Sequence, residues 1–535
     1  MTTPELAFNL IHRVNVGDSL TRTAARTPET VALVDSSRSL TYAEFNRWVN
    51  RLANALLHRG FAAGDALGLA SGNSVEFLVT YYACAKIGAV CVPINLGWRV
   101  EEVAYVLEHS GARGLVVSEA LAERMVSAVT TLPSVAEVIV VGDPTGARAL
   151  LGTLPVTAFA DVLAAGSDAE PEVVVDDRAA LTYLYTSGTT SFPKGVIGNH
   201  TAIHVESLMM ALEGRFAADD RFVAMMPMFH TAQLNCHCTP AVVVGATIHI
   251  EPGFDPARLL HLIEAEGITQ IFGIPMMYRA LLDHPDRPST DLSTLRRALY
   301  AMAPMPEATL RECLEVFGCG FYLLFGQTEM SPTTTIFRPE HQLSHNGAAG
   351  TPTANVHVAI MADDGAMLPQ GETGEIVYRG PQTMTAYLKD EKATDEAFRH
   401  GWFHSGDLGH FDTDGLLWFT DRSKDVIKTG GENVASIEVE KAVYAACPQV
   451  AEVAVVGLPH ARWSEAVTAV VVAKPGEQID EVAVITAVKG VLDSYKAPKS
   501  VIVVTELPRT STGKIQKNLV RDTFRDHYTP SPHTA

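Results

Sequence analysis

The stretch that decides the fold and chemistry of this chain is Tyr185-Thr186-Ser187-Gly188-Thr189-Thr190-Ser191-Phe192-Pro193-Lys194-Gly195-Val196. It follows a short apolar run, residues 181–184, whose composition predicts a buried strand. Glycines let a backbone approach an anion closely, and backbone N–H and hydroxyl groups donate hydrogen bonds to its oxygens. The stretch therefore indicates a phosphate-binding loop, although clusters of Ser, Thr and Gly are also common in ordinary surface turns.

The end of this loop argues against one common type of nucleotide site. Lys194 supplies a positive charge, and Pro193 restricts the backbone just before it. In a P-loop the lysine is followed by a Ser or Thr that binds Mg²⁺, whereas Gly195 follows Lys194 here. We therefore expect a nucleotide site on a fold other than that of the P-loop NTPases.

Length and composition narrow the class of protein. The chain has 535 residues, 47% of them hydrophobic, which predicts two or more domains with a sizeable core. Its formal net charge of −20 argues against a nucleic-acid-binding protein, which needs a basic face. The sequence predicts no membrane span and no signal peptide. Seven scattered cysteines are typical of reduced thiols, so we expect a cytoplasmic protein.

The pattern of apolar runs predicts the fold. Thr41 and Glu44 have the spacing of a capping box that opens a helix. From there to about residue 273, strand-like runs alternate with helical patterns in two series, which predicts parallel sheets covered by helices. Residues 149–176, rich in Ala, Gly and acidic residues, are predicted to form a connecting loop. Short runs after Gly347 predict a small β-rich subdomain, and a compact α+β segment follows Arg422.

Three adjacent potential metal ligands, Cys236-His237-Cys238, suggest a zinc site. On an extended segment their side chains would point to alternating faces, and no Cys-x-x-Cys spacing supports zinc binding. We therefore favour ordinary packing for this segment over metal binding.

The opening stretch resembles the signature loop of the adenylate-forming superfamily, which includes acyl- and aryl-CoA synthetases, peptide-synthetase adenylation domains and luciferases. The family usually has Gly-Lys or Gly-Arg where this chain has Ser191-Phe192. The resemblance implies that the loop holds the β- and γ-phosphates of ATP, and it assigns Thr186 to catalysis and Mg²⁺ as well. The implied nucleotide-binding residues of the loop are Thr186, Ser187, Gly188, Thr189, Thr190 and Lys194.

A second motif, Phe325-Gly326-Gln327-Thr328-Glu329, resembles the Tyr-Gly-x-Thr-Glu element of the same family. Taken alone it would be a turn at the end of a strand. The resemblance implies that Phe325 stacks on adenine, Thr328 contacts the α-phosphate and Glu329 binds Mg²⁺. Upstream, Ala301-Met302-Ala303-Pro304 resembles the segment on the other face of adenine, although the family usually has Gly where Met302 or Ala303 stands.

Two further blocks resemble the ribose site and the hinge of the family. In His404-Ser405-Gly406-Asp407, the resemblance assigns Asp407 to the ribose hydroxyls, an interaction that suits a carboxylate after a Gly turn. In the block 421–433 it implies that Arg422 contacts ribose and that Lys424 is the pivot of a mobile domain. Gly430 and Gly431 would line the channel for the second substrate; their composition also suits an interdomain linker.

The resemblance extends to a catalytic lysine and an acid pocket. An exposed lysine is usually only solvated, but Pro508-Arg509-Thr510-Ser511-Thr512-Gly513-Lys514 resembles the family's catalytic lysine loop, which assigns adenylation to Lys514. Pro227-Met228-Phe229-His230 resembles the segment that gates the acyl pocket. His230 is therefore expected to line that pocket, although a His beside an apolar run is more often simply packed.

The expected fold is α/β: a large N-terminal domain, residues 1–422, with two α/β subdomains and a small β-rich subdomain, and a small mobile α+β C-terminal domain, residues 423–535. The expected reaction joins a carboxylic acid to coenzyme A through acyl-AMP, with ATP and Mg²⁺. An alternative passes the acyl group to an amine or a carrier-protein thiol, because Trp463-Ser464-Glu465 stands where CoA ligases commonly have Trp-Gly-Glu. A non-catalytic relative is disfavoured by the four motif residues Glu329, Asp407, Arg422 and Lys514. The acid is left open, and a homodimer is one option for assembly.

Overall fold

The computed structural model describes residues 3–130, 132–186, 192–509 and 515–528. The chain divides into two compact units, one of Met1–Val358 with Tyr378–Phe403 and the other of Ala359–Val377 with His404–Ala535. Residues 404–422 therefore group with the C-terminal segment by compactness, and the boundary about which the chain would rotate stays a prediction. Among the helices described, none is both long and apolar enough to cross a membrane.

The first unit contains two large, mostly parallel sheets. The seven-stranded sheet has only its last strand antiparallel, and its order is Val156–Ala158, Glu137–Val141, Ala112–Ser118, Ala66–Ala70, Val90–Pro93, Ala180–Thr186 and Lys194–Asn199. The nine-stranded sheet is parallel through its centre and antiparallel at its edges. Its order is Thr351–Pro352, Thr333–Phe337, Gly320–Gly326, Arg297–Ala301, Gln270–Gly273, Arg221–Ala224, Thr247–Ile250, Val31–Val34 and Ser39–Thr41.

Helices cover these sheets and separate them. All 13 residues of the helix Val75–Ile87 are buried, because the helix shares one core with apolar residues of both sheets. The predicted capping box is confirmed: Thr41 Oγ accepts a hydrogen bond from the Glu44 amide, and the Thr41 amide donates to the Glu44 carboxylate. The other α-helices are Pro4–His12, Val16–Arg26, Tyr42–His58, Val100–Ser110, Glu119–Val129, Thr145–Leu151, Phe159–Ala165, His200–Glu213, Thr231–Gln233, Thr239–Val244, Pro256–Glu266, Pro275–Leu282, Glu307–Phe317 and Glu391–Ala397. The short 3₁₀ helices are Arg287–Ser289, Thr328–Met330, Pro339–His341 and Arg399–Gly401.

The structure differs from two of the sequence expectations. The predicted loop at residues 149–176 contains the end of the helix Thr145–Leu151, a strand and the helix Phe159–Ala165. That second helix forms because Phe159, Val162 and Leu163 recur at helical spacing and are buried. Cys236-His237-Cys238 is helical rather than extended, since it belongs to the π-helix Leu234–Cys238, and all three side chains are buried.

The second unit is built on two smaller sheets. Most of the four-stranded sheet, His357–Met361, Gly374–Arg379, Phe403–Phe411 and Leu417–Arg422, belongs to it. The five-stranded sheet has the path Glu432–Val434, Ile427–Thr429, Ser464–Ala473 and Val450–His460, with Ser500–Val504 parallel to Ser464–Ala473. The helices Ser436–Ala446, Glu481–Lys489 and Lys517–Thr523 complete the unit. The predicted α/β class, with a β-rich subdomain and a C-terminal α+β segment, is confirmed.

Candidate active site

The phosphate loop is closed by a β-hairpin. The strand Ala180–Thr186 runs antiparallel to Lys194–Asn199, and Thr186 lies opposite Lys194 in that pairing. The residues before and after the loop therefore lie side by side, with the hydroxyl of Thr186 on one strand and the ammonium group of Lys194 on the other. Ser187, Gly188, Thr189, Thr190 and Ser191 lie outside the described residues.

Phe192 gives the unusual end of the loop a packing partner. Its ring stacks on Tyr105 with the centroids 4.5 Å apart, and Tyr105 stacks in turn on His109 at 5.1 Å. His109 and the Tyr185 hydroxyl form a hydrogen bond of 2.8 Å. Phe192 thus supplies an aromatic contact to the helix Val100–Ser110, which the sequence did not reveal.

Tyr387 connects the phosphate loop to the second motif. The Lys194 ammonium nitrogen lies 4.9 Å from the centroid of the Tyr387 ring, within cation–π range. The Tyr387 hydroxyl donates a 2.9 Å hydrogen bond to Glu329 Oε1. Burial, together with the Glu329 carboxylate, raises the pKa of the Tyr387 hydroxyl well above its usual range, so the hydroxyl keeps its proton and remains a donor.

Backbone pairing explains how Tyr387 reaches this position. The Leu388 amide donates to the Gly195 carbonyl at 2.8 Å, and the Ile197 amide donates to the Ala386 carbonyl at 3.0 Å. The segment around Tyr387 therefore runs along the strand that follows the phosphate loop. Tyr387 is not predicted from the sequence, because a single tyrosine in a polar stretch carries no local signal.

The second motif lies at the end of the strand Gly320–Gly326. Phe325 is half-buried, and Thr328 and Glu329 follow in a short 3₁₀ helix. Gly326 packs so closely that an added Cβ would lie 1.9 Å from the Pro332 carbonyl oxygen. Only glycine therefore fits this turn, which sets the direction of the residues that follow. The next residue, Gln327, is half-buried.

The proposed adenine segment lies beside this motif. The strand Arg297–Ala301 runs parallel to Gly320–Gly326, with Ala301 opposite Leu324, so Ala303 follows the end of one strand and Phe325 lies at the end of its neighbour. Ligands of open α/β sheets bind at this carboxyl edge. Met302 has a φ of +74°, a left-handed conformation that favours glycine. This conformation explains why the family usually has Gly in this segment.

His230 lies at the N-terminus of the helix Thr231–Gln233, and its ring centroid is 4.7 Å from that of Phe229. Its Nε2 is buried and has no hydrogen-bond partner in the described part of the chain. Burial lowers the pKa of His230 to about 4, so the ring is neutral at physiological pH. A neutral aromatic ring suits a wall of an acid pocket.

In the second unit, the structure brings Asp407 and Arg422 together. They face each other across antiparallel strands, and Arg422 Nε lies 3.4 Å from Asp407 Oδ1. Lys424 follows in a turn, where desolvation and the nearby Arg422 cation lower the pKa of its ammonium group. The two ribose candidates and the pivot candidate are therefore neighbours.

Gly430 and Gly431 form the two-residue tip of a hairpin between Ile427–Thr429 and Glu432–Val434. Both have positive φ, +62° and +91°, as such tight hairpins require. The Gly430 amide donates to the Trp463 carbonyl at 2.9 Å. The next residue, Ser464, has a φ of +67° where CoA ligases commonly have Gly, so the backbone keeps a glycine-like conformation despite the substitution.

Lys514 lies outside the described residues, but both ends of its loop are described. Arg509 pairs with Ile515, and the Gln516 amide donates to the Pro508 carbonyl at 2.8 Å. Just beyond the loop, Lys517 Nζ lies 2.7 Å from the Glu440 carboxylate. The described residues on either side of the predicted catalytic lysine are therefore held together by backbone pairing.

Glu329 is the described side chain that fits a Mg²⁺ site. Mg²⁺ in nucleotide sites is usually held by one or two carboxylates together with phosphate oxygens and water, so a dense protein cage is not needed. No cluster of three or more His, Cys, Asp or Glu side chains suited to a metal occurs within the described ranges. The hydrogen bond from Tyr387 occupies one Glu329 oxygen and restricts the orientation of this carboxylate, which would hold the ion.

The parallel sheets, the strand-end motif and the closed phosphate loop together define an enzyme of the adenylate-forming class. The chain belongs to the AMP-binding enzyme family, whose model matches residues 20–388, and residues 438–514 match the AMP-binding enzyme C-terminal domain. It is 36% identical to a feruloyl-CoA synthase of Amycolatopsis sp, covering 94% of this chain and 98% of that protein. It is 34% identical to an indoleacetate–CoA ligase of Aromatoleum aromaticum, with 95% and 98% covered.

The solved structures agree. ATP-bound MatB from Rhodopseudomonas palustris superposes with a TM-score of 0.85 at 29% identity, covering 97% of this chain and 100% of that one. An anthranilate–CoA ligase in complex with anthranoyl-AMP gives the same TM-score at 27% identity, covering 95% of this chain and 97% of that one. The prediction of an AMP-forming acid–CoA ligase is confirmed by these relatives.

Proposed function

We propose that this enzyme activates a carboxylic acid with ATP and transfers the acyl group to coenzyme A. In the first half-reaction the carboxylate attacks the α-phosphorus, giving acyl-AMP and pyrophosphate. In the second, the CoA thiol attacks the acyl carbon and AMP leaves. The observation that carries this proposal is the contact chain Lys194–Tyr387–Glu329, which brings the phosphate loop and the strand-end motif into one site.

The candidate site residues of the first unit have proposed roles in adenylation. Thr186 and Lys194 hold the β- and γ-phosphates at the closed end of the loop, with Ser187, Gly188, Thr189 and Thr190 as further donors. Phe325 and Ala303 enclose adenine, Gly326 and Gln327 shape the turn, and Thr328 contacts the α-phosphate. Glu329 and Thr186 would hold Mg²⁺, which when bound neutralises phosphate charge. His230 lines the acid pocket.

The second unit is proposed to bind ribose and to serve both half-reactions. Asp407 accepts hydrogen bonds from the ribose hydroxyls, and Arg422 Nε lies 3.4 Å from Asp407 Oδ1. Lys514 would place its charge between the attacking carboxylate and the α-phosphate, as a compact ammonium group on a long side chain can do. Residues 423–535 then rotate about Lys424, which withdraws Lys514 and brings Gly430 and Gly431 to the CoA channel.

Coenzyme A is the acceptor we favour over an amine or a carrier-protein thiol. The substitution that left those alternatives open, Ser464, keeps the left-handed backbone of the usual glycine. Trp463 precedes Ser464, and its carbonyl accepts a hydrogen bond from the Gly430 amide. This bond joins the proposed CoA hairpin to the segment that contains Ser464. The left-handed backbone at Ser464 therefore supports coenzyme A as the proposed acceptor.

Adenylation is tested by acid-dependent exchange of labelled pyrophosphate into ATP over a panel of fatty, aryl and dicarboxylic acids. The best acid is then supplied with CoA, with a set of amines or with a carrier protein, and AMP release is followed. We expect exchange with at least one acid and AMP release that depends on CoA. No exchange with any acid contradicts adenylation, whereas exchange without CoA-dependent AMP release contradicts the choice of acceptor.

A further inference from the structure

Glu206 is a carboxyl group with one unused oxygen inside the first unit. It lies on the helix His200–Glu213 and has no exposed surface. Its Oε1 accepts a 3.1 Å hydrogen bond from the Thr333 amide. Its Oε2 is also buried and has no hydrogen-bond partner among the residues that the structure describes. A buried polar atom without a partner is costly, so its retention calls for an explanation.

The neighbours of Glu206 belong to two segments: one follows His230, the acid-pocket candidate, and the other follows Glu329, the metal candidate. Thr333, which binds its Oε1, comes four positions after Glu329 and lies opposite Gly326 in the sheet. The Thr333 hydroxyl is 3.2 Å from the thiol of Cys236, in the helical segment that follows His230. Glu206 therefore lies where the segment that follows His230 meets the segment that follows Glu329.

In the proposed complex, the bound acid extends along these two segments. In the proposed reaction its carboxylate lies beside Thr328, where it can attack the α-phosphorus, and the rest of the molecule points away from the phosphates. The buried residues along these two segments include the apolar Leu234, Cys236 and Met330. Glu206 Oε2 is a buried polar atom at the junction of the two segments and has no hydrogen-bond partner among the described residues.

We propose that Glu206 determines acid specificity and that the preferred substrate carries a hydroxyl group at the end remote from its reacting carboxylate. This inference rests on the proposed adenylation. A hydroxyl both donates and accepts, so it can pair with the carboxyl group that Thr333 already orients. A wholly apolar acid would leave Oε2 unpaired and bind more weakly.

The protonation state of Glu206 favours a neutral partner. Burial raises the pKa of this carboxyl to about 8, an effect that the neighbouring Thr333 and Gln382 oppose only partly. At neutral pH the group is therefore a carboxylic acid that can both donate and accept. A hydroxyl matches it better than a second carboxylate, which would add charge to a buried region.

The test compares acids that differ by one hydroxyl: 3-phenylpropanoate and cinnamate with and without a para-hydroxyl, and octanoate with and without a terminal hydroxyl. Pyrophosphate exchange gives kcat/KM for each. We expect the wild type to prefer the hydroxylated member of at least one pair by about 10- to 100-fold. In Glu206→Leu this ratio should fall to near one or reverse, while kcat/KM for the unsubstituted partner is kept or raised.

Controls separate specificity from folding. Ser207→Ala removes a neighbouring buried hydroxyl that bonds Ile203 and Thr239, and it should leave the ratio unchanged. If Glu206→Leu does not fold, Glu206→Gln keeps an acceptor for the Thr333 amide and should retain part of the preference. Equal use of both members of every pair by the wild type, or an equal loss on both in Glu206→Leu, overturns the inference. Failure of the proposed function would instead appear as no exchange with any acid.

Discussion

Replacing Tyr387 with phenylalanine removes one hydroxyl from the contact chain between the phosphate loop and the metal candidate. The lost interaction is the 2.9 Å hydrogen bond to Glu329 Oε1, while the ring beneath Lys194 remains. A hydrogen bond to a charged acceptor contributes about 1.5–3 kcal/mol, and for this half-buried pair we take about 1–2 kcal/mol. At about 1.4 kcal/mol for each tenfold change, kcat/KM for Mg·ATP should fall about 5- to 30-fold.

The assay is pyrophosphate exchange at saturating acid, with Mg·ATP and free Mg²⁺ varied separately. Calorimetric titration of Mn²⁺ and ATP into the protein provides a second readout that does not depend on turnover. Tyr387→Leu should lose more than Tyr387→Phe, since it also removes the cation–π contact, which contributes about 0.5–1 kcal/mol. Tyr105→Phe is a matched control, because that hydroxyl makes no hydrogen bond to a described residue.

A Tyr387→Phe enzyme with wild-type dependence on both ATP and Mg²⁺ would refute this role of the Tyr387 hydroxyl. A loss confined to the KM for the acid would also contradict this role, because the hydroxyl acts on the Glu329 carboxylate, the candidate ligand of Mg²⁺. Thermal unfolding of each variant distinguishes a change at the site from a general loss of stability.

Three further predictions concern the lysine loop, the backbone and pH. Lys514→Ala should abolish acyl-AMP formation yet still convert supplied acyl-AMP to thioester, and normal adenylation by this variant would remove the role assigned to it. Met302→Gly and Ser464→Gly should each raise the free energy of unfolding by about 1 kcal/mol, because each relieves a left-handed non-glycine residue; denaturant titration measures this. Glu206 has a folded-state pKa of about 8, above its ordinary value of 4.5, so the folded state holds the proton more tightly. The wild type should therefore lose stability relative to Glu206→Gln as pH rises from about 5 to about 8, by up to about 1.4 kcal/mol per pH unit, and level off above that; parallel unfolding curves for the two proteins would count against it.

Local patterns predicted much of the fold. The capping box at Thr41 and Glu44 was predicted from spacing alone, because a cap depends on residues three positions apart. The helix Phe159–Ala165 was missed because residues 149–176, rich in Ala, Gly and acidic residues, suggested a loop. Burial of its apolar side chains against the core decides its structure instead. Left-handed residues such as Met302 were also missed, since nothing in a methionine predicts a positive φ.

By itself the sequence determined the class of fold, the family and the order of the motifs, because strand and helix periodicity and the motif spacings are written in neighbouring residues. Only the tertiary structure decided which motifs meet. Tyr387 reaches Glu329 across 58 positions, and Glu206 reaches Thr333 across 127. Such contacts are set by the order of strands in a sheet and by the packing of helices on it. The contact between Tyr387 and the metal candidate and the buried position of Glu206 beside Thr333 therefore emerged only when the chain was folded.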